Sequence, residues 1–160
     1  MPDNIFLYFF IGFVLFAIGK SIYYFIEKKT ILENYKQVNS IEFKNIYGTI
    51  VTKSGMLRQR FEWCKFDILV NQNSVFLFTK NFYFIPSRLI NLVYSTSNNK
   101  YLKQTRKPKQ VREFNVNKNN IEIVFMRDRL MFETSKLYLK NLTNEQIILL
   151  ESVLNKKTND

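Results

Sequence analysis

Six cations fall within thirteen residues that hold no acid: Lys100, Lys103, Arg106, Lys107, Lys109 and Arg112. Ammonium and guanidinium groups at this density hold anions, by charge and by donated hydrogen bonds. Beside an anionic membrane leaflet each such charge is worth about 1 kcal/mol. Only one aromatic, Tyr101, lies among them, so a stacking platform for nucleic acid is not evident. The plainer account is a solvated loop whose charge keeps the protein soluble. A smaller set, Lys53, Arg58 and Arg60, accompanies "TKSGMLRQR".

The remaining reactive residue types do not assemble into a catalytic apparatus. Glu62 and Asp67 are five apart in a strand-like stretch, so they point to opposite faces. Asp128 stands between Arg127 and Arg129 and reads as a charged turn. The chain has one cysteine, Cys64, and no histidine. That removes His/Cys zinc sites, Ser-His and Cys-His pairs and any disulfide within the chain. Cys64 adjoins Trp63 in apolar surroundings and reads as a small buried hydrophobe. No glycine-rich phosphate loop is present. The expectation is a non-enzyme with no catalytic residues, no metal and no cofactor.

These residues must be positioned by about 130 residues of ordinary domain size, preceded by one apolar stretch. The net charge is +11, nearly all of it after residue 30. Such a balance favours anionic partners, although abundant Asn, Lys, Ile, Phe and Tyr are also what an AT-rich genome produces.

Residues 5–26, "IFLYFFIGFVLFAIGKSIYYFI", would span about 33 Å as a helix. A bilayer's hydrocarbon core is about 30 Å thick. Lys20 is the objection, at about 2.5–3.5 kcal/mol for a central lysine. It is off-centre, and its stem can carry the charge toward an interface. Fourteen Ile, Leu, Val and Phe residues oppose it, at about −0.3 to −0.6 kcal/mol each near the centre, so insertion wins. Tyr8 lies near one interface and Tyr23 and Tyr24 near the other, as in an aromatic belt. A cleaved signal peptide would need a basic leader and a small-residue cleavage site. "MPDN" has no cation, and no such site follows. Lys28, Lys29 and Lys36 follow the span and none precedes it, so the remainder is expected on the cytoplasmic side of a cell (inner) membrane, with the N-terminus outside.

After a helical extension or linker, strand signals dominate. "IEFKNIYGTIVT" (41–52) is β-branched, with Gly48 a candidate bend or bulge. Residues 61–86 read as strands broken by turns at "NQNS" and near Lys80-Asn81. "RLINLVYS" (88–95) is another apolar run, and 96–110 is a polar, basic loop. "VREFNV" and "IEIVFMRD" flank an "NKNN" hairpin turn, and 130–141 adds a last strand. Then the period changes. Thr143 and Gln146 form a capping box, Leu142 and Ile147 a staple, and Ile147, Leu150 and Leu154 share one helix face.

Two stretches resemble PH-like domains of the bacterial PH and GRAM-like group. In "FIPSRLINLVYS" (84–95), Ile85, Pro86, Ile90 and Val93 match the strand that opens on an Ile-Pro step. "KLYLKNLTNEQIILLESVLN" (136–155) looks like the last strand running into the closing helix. That helix lacks the tryptophan many eukaryotic PH domains carry, which points to the bacterial branch. The resemblance implies a mainly β domain: two packed antiparallel sheets of about seven strands, closed by a C-terminal amphipathic helix. The expected organisation is a membrane anchor at 1–30, a linker at 31–40 and the PH-like domain at 41–160. The expected role is a membrane-anchored, non-catalytic module. Its partners would be membrane lipid through 5–26, anionic headgroups or a protein at the basic loop, with nucleic acid disfavoured. A structural subunit of a membrane complex is the alternative.

Overall fold

The computed structural model describes residues 3–54, 58–83, 85–94, 108–126 and 133–155. A helix, α1 (Asp3–Tyr35), leads into seven strands and a closing helix. The strands are β1 (Ile41–Ser54), β2 (Arg58–Val70), β3 (Val75–Asn81), β4 (Ile85–Val93), β5 (Pro108–Asn117), β6 (Asn120–Met126) and β7 (Glu133–Lys140). The closing helix is α2 (Asn144–Leu154).

Helix α1 has two unlike halves. From Ile5 to Lys20 every side chain is exposed, all round the helix. From Ser21 onward covered positions recur at Ser21, Tyr24, Lys28, Ile31 and Tyr35, the three-and-four spacing of a stripe facing a partner. Ile31 is buried against Leu69, Phe76 and Phe78, with Leu32 and Tyr35 packed beside it. Burying one such isoleucine is worth about 2 kcal/mol. The helix end is satisfied as well: Asn71 Nδ2 donates to the Tyr35 carbonyl at 2.8 Å. The helix therefore runs through the first half of the segment expected as a linker at 31–40.

The strands form one closed barrel in chain order, with β1 and β7 antiparallel neighbours. This replaces the expected pair of packed sheets. Long β1 pairs with β2 along its length and with β7 over Tyr47–Ser54, so it belongs to both sides. A bulge between Phe43 and Ile46, with Asn45 at φ 59°, lets it coil. Closure leaves the barrel without a free edge. Nor are all pairs antiparallel, because β4 and β5 run parallel over Asn91–Val93 and Pro108–Gln110. Proline is tolerated as the first residue of a strand, so β5 begins inside the segment expected as a loop.

Gly48 is not a bend. It sits in regular pairing opposite Cys64 and Leu139. A Cβ there would overlap the Tyr138 carbonyl oxygen and meet the Phe66 ring at 2.8 Å. Glycine is needed for close approach of β7, not for curvature. The β3–β4 turn falls at Phe82 and Tyr83, just beyond the expected Lys80-Asn81.

The interior is filled by alternate residues of every strand and by Ile147, Leu150, Val153 and Leu154 of α2. The capping box is formed: Gln146 N–H donates to Thr143 Oγ1 at 3.3 Å, and Thr143 N–H to Gln146 Oε1 at 3.0 Å. Leu142 and Ile147 are both buried, as the staple requires.

Candidate functional site

The outer face of β2 and β3 would be solvated in a bare barrel, yet Asp67, Leu69, Phe76 and Phe78 on that face are buried. The C-terminal half of α1 covers them. Where helix and barrel diverge, they leave a groove of about 550 Å³. Tyr24, Phe25, Lys28 and Leu32 form one wall, and Phe78, Lys80 and Pro86 the other.

Asp67 lies at the floor. Lys28 Nζ donates to its Oδ2 at 2.6 Å, and Lys80 Nζ to its Oδ1 at 2.9 Å. The Asn45 amide, at the β1 bulge, donates to Oδ1 at 3.2 Å. Burial pulls the Asp67 pKa upward, but the Lys28, Lys80 and Asn45 hydrogen bonds outweigh it and leave the carboxyl below its ordinary value. The Lys28 ammonium also lies 5.1 Å above the Phe78 ring. The result is an apolar slot with two cations and one anion at its base. Such a slot can hold an apolar chain and present donors to an anionic group at its mouth.

Glu62 and Asp67 take opposite faces of β2, as their spacing requires. Glu62 is buried, with Arg88 Nη2 donating to it at 3.0 Å and the more exposed Arg60 guanidinium ion-paired with it at 3.3 Å. Cys64 is fully buried beside them. Burial, reinforced by the Glu62 charge and partly opposed by Arg88, pushes its thiol up to about 11. It is inert at neutral pH.

Of the six expected anion-binding cations, Lys100, Lys103, Arg106 and Lys107 lie outside the described residues. Lys109 is on strand β5, half-buried, with its ammonium 5.8 Å from the Phe125 ring. Arg112 is exposed at the β5 bulge between Val111 and Glu113. The two are thus held by a strand and not by a free loop. Lys53 joins Lys136 and Lys140 around a shallow hollow on β7, β1 and β2, where Lys136 is paired with Glu122 at 2.7 Å. The hydrogen bond that Lys136 donates to Glu122 raises the Lys136 pKa.

Sequence reasoning missed Lys28, Asp67, Phe78 and Lys80 as a group. A signal was present. "ILV" (68–70) and "VFLF" (75–78) are apolar on both faces, which marks strands covered on both sides. Among the described residues, no group of three His, Cys, Asp or Glu side chains converges as a metal site requires. No protein-family model, curated protein or solved structure matches the chain.

Proposed function

We propose that the protein is a single-pass, membrane-anchored, non-catalytic binding module. Its barrel is held against the cytoplasmic leaflet and docks an anionic lipid headgroup or a protein partner. One observation carries the reading: α1 is a single unbroken helix, long and apolar enough to cross a bilayer, whose last turns are docked on the barrel. A flexible tether would let the domain roam. A rigid junction instead presents the same face of the barrel to the membrane at all times.

Several features support the rest. The resemblance to PH-like domains implies binding and not catalysis, and a seven-strand barrel with a capped closing helix is compatible with it. The parallel β4–β5 pair departs from an all-antiparallel plan. Lys28, Lys29 and Lys36 follow the span and favour the cytoplasmic side. Lys109 and Arg112 keep part of the proposed anion surface. The alternative, a structural subunit packed against other helices, is favoured by exposed Lys20 within the apolar half of α1. There an acidic residue on a partner helix would neutralise it.

Alkaline carbonate extraction of membranes carrying the full chain tests the anchor: the protein should stay in the pellet, and its release would end the reading. Orientation is tested with Ser152→Cys, an exposed position on α2. An impermeant maleimide should label it only after the cells are permeabilised. Labelling of intact cells would place the barrel on the outer side.

A further inference from the structure

The β3–β4 turn is made of the wrong residues for its backbone. Phe82 and Tyr83 sit at φ 48° and 71°. The left-handed region suits glycine, asparagine or aspartate and is an outlier for bulky side chains. Residues 82–84 read Phe-Tyr-Phe. Phe82 and Tyr83 are exposed, Phe82 to 68%. Neither strain nor exposure is explained by the packing of the barrel.

The turn does not stand alone. Trp63 is 61% exposed on β2, and Ile85 on β4 is exposed as well. The Tyr83 ring meets the Tyr47 ring at 5.7 Å. The Lys65 ammonium lies 4.8 Å from the Tyr47 ring and 5.7 Å from that of Tyr83. Tyr47 pairs with Lys65 and Thr49 with Trp63, so Tyr47, Lys65 and Trp63 share the outer face, and the turn begins one residue after Asn81, which pairs with Cys64, the neighbour of Trp63.

Its place on the molecule identifies the occupant. Descending α1 toward its N-terminus, Ile31 meets Leu69, Lys28 meets Asp67, and Tyr24 shares the groove with Pro86. Pro86 pairs with Lys80, one residue before the Asn81–Ile85 pair that flanks the turn. Helix α1, which packs chiefly on β4, thus descends in step with the paired strands β2, β3 and β4. Trp63 lies four residues beyond Asp67, roughly 13 Å of strand. The same descent on a helix at about 1.5 Å per residue ends near Lys20. That is where the all-round exposed, apolar half of α1 begins. The aromatic turn therefore stands where the span leaves the barrel.

We infer that Trp63, Phe82 and Tyr83, with Lys65 seated between Tyr47 and Tyr83, form a second membrane contact that dips into the interfacial layer of the bilayer that α1 spans. The inference rests on the anchor reading. Aromatic rings and a flexible cation are the side chains that layer accepts, with rings among the headgroups and the ammonium at phosphate. The surface makes the barrel's pose on the membrane a two-point attachment, with α1 as one point and the aromatic turn as the other.

The chain has a single tryptophan, Trp63, so the contact carries its own probe. The full-length protein is reconstituted into phosphatidylcholine–phosphatidylglycerol vesicles and floated on a density gradient. Trp63 emission is then read with lipids brominated near the headgroup end of the acyl chain, with lipids brominated near the chain end, and with aqueous iodide. The inference expects flotation, strongest quenching by the shallow bromines and protection from iodide. In Phe82→Asn/Tyr83→Gly protein, flotation should persist while shallow quenching is lost. Flotation with Trp63 open to iodide and untouched by either bromolipid overturns the membrane contact and leaves the anchor standing. Protein that stays at the bottom of the gradient overturns both.

Discussion

The Lys28 ammonium lies 2.6 Å from Asp67 Oδ2, so a side chain on the apolar helix is bonded to the outer face of a barrel strand 39 residues away. Lys80 grips the same carboxylate from β3 at 2.9 Å. One acid therefore clamps three elements: α1, β2 and β3.

Removing that acid should loosen the junction. Asp67→Ala leaves Lys28 and Lys80 facing one another without a counter-charge. Because both lysines keep about a third of their side chains in water, the cost should be about 1–3 kcal/mol, below that of a fully buried broken pair. Denaturant unfolding of the detergent-solubilised chain, followed by Trp63 emission, measures it. A double-mutant cycle of Lys28→Met with Asp67→Asn isolates the direct term, and a coupling near zero would mean the contact is ornamental.

The same clamp should respond to acid. The folded-state pKa of Asp67 lies below its ordinary value. Its contribution is thus fully present above the unfolded value of about 3.9 and is lost as pH falls through the folded value. Unfolding free energy measured from about pH 5 downward should fall faster for the natural chain than for Asp67→Asn, the two curves converging at the acid end. Parallel curves would show that the carboxylate is not held charged by its partners.

The aromatic turn should be a stability defect in detergent. Phe82→Asn with Tyr83→Gly substitutes residues that accept a left-handed backbone. We expect a gain of about 1–3 kcal/mol in unfolding free energy. An unchanged or lower midpoint would show that the two rings earn their place by packing within the barrel.

Gly48→Ala should be among the most damaging single methyl additions in the barrel. The new Cβ meets the Tyr138 backbone and the Phe66 ring, and the Tyr138 carbonyl cannot withdraw without disturbing β1–β7 pairing. A loss of about 3 kcal/mol is expected, at the upper end of overpacking effects. Circular dichroism melting and expression level check it, and near-normal stability would refute the close-approach role.

Cys64 should behave as an unfolding sensor. It is fully buried and its thiol is pushed up to about 11. A maleimide at neutral pH should leave it unmodified in the folded chain and label it completely in denaturant. Rapid labelling without denaturant would mean that this end of β2 opens readily.

Much of what acts locally was legible. The apolar N-terminal helix, the strands, the "NKNN" and "NQNS" turns and the Thr143–Gln146 cap are each specified by residues within a few positions of one another. Hydrophobic period, turn composition and capping all act over that range. Lys109 was misplaced for a related reason. A proline and a run of cations look like loop until a neighbouring strand supplies hydrogen-bond partners, as β4 does for β5.

The amino-acid order alone thus settled that one apolar helix precedes a mainly β domain with a capped final helix. Folding decided the rest: closure of the strands into one barrel, docking of the C-terminal half of α1 over Leu69 and Phe76, the capture of Asp67 by Lys28 and Lys80, and the role of Gly48. Each of these depends on groups far apart in the chain meeting at distances of a few ångströms. Local propensity carries no information about such meetings, because what decides them is which surfaces remain to be covered once the strands have paired.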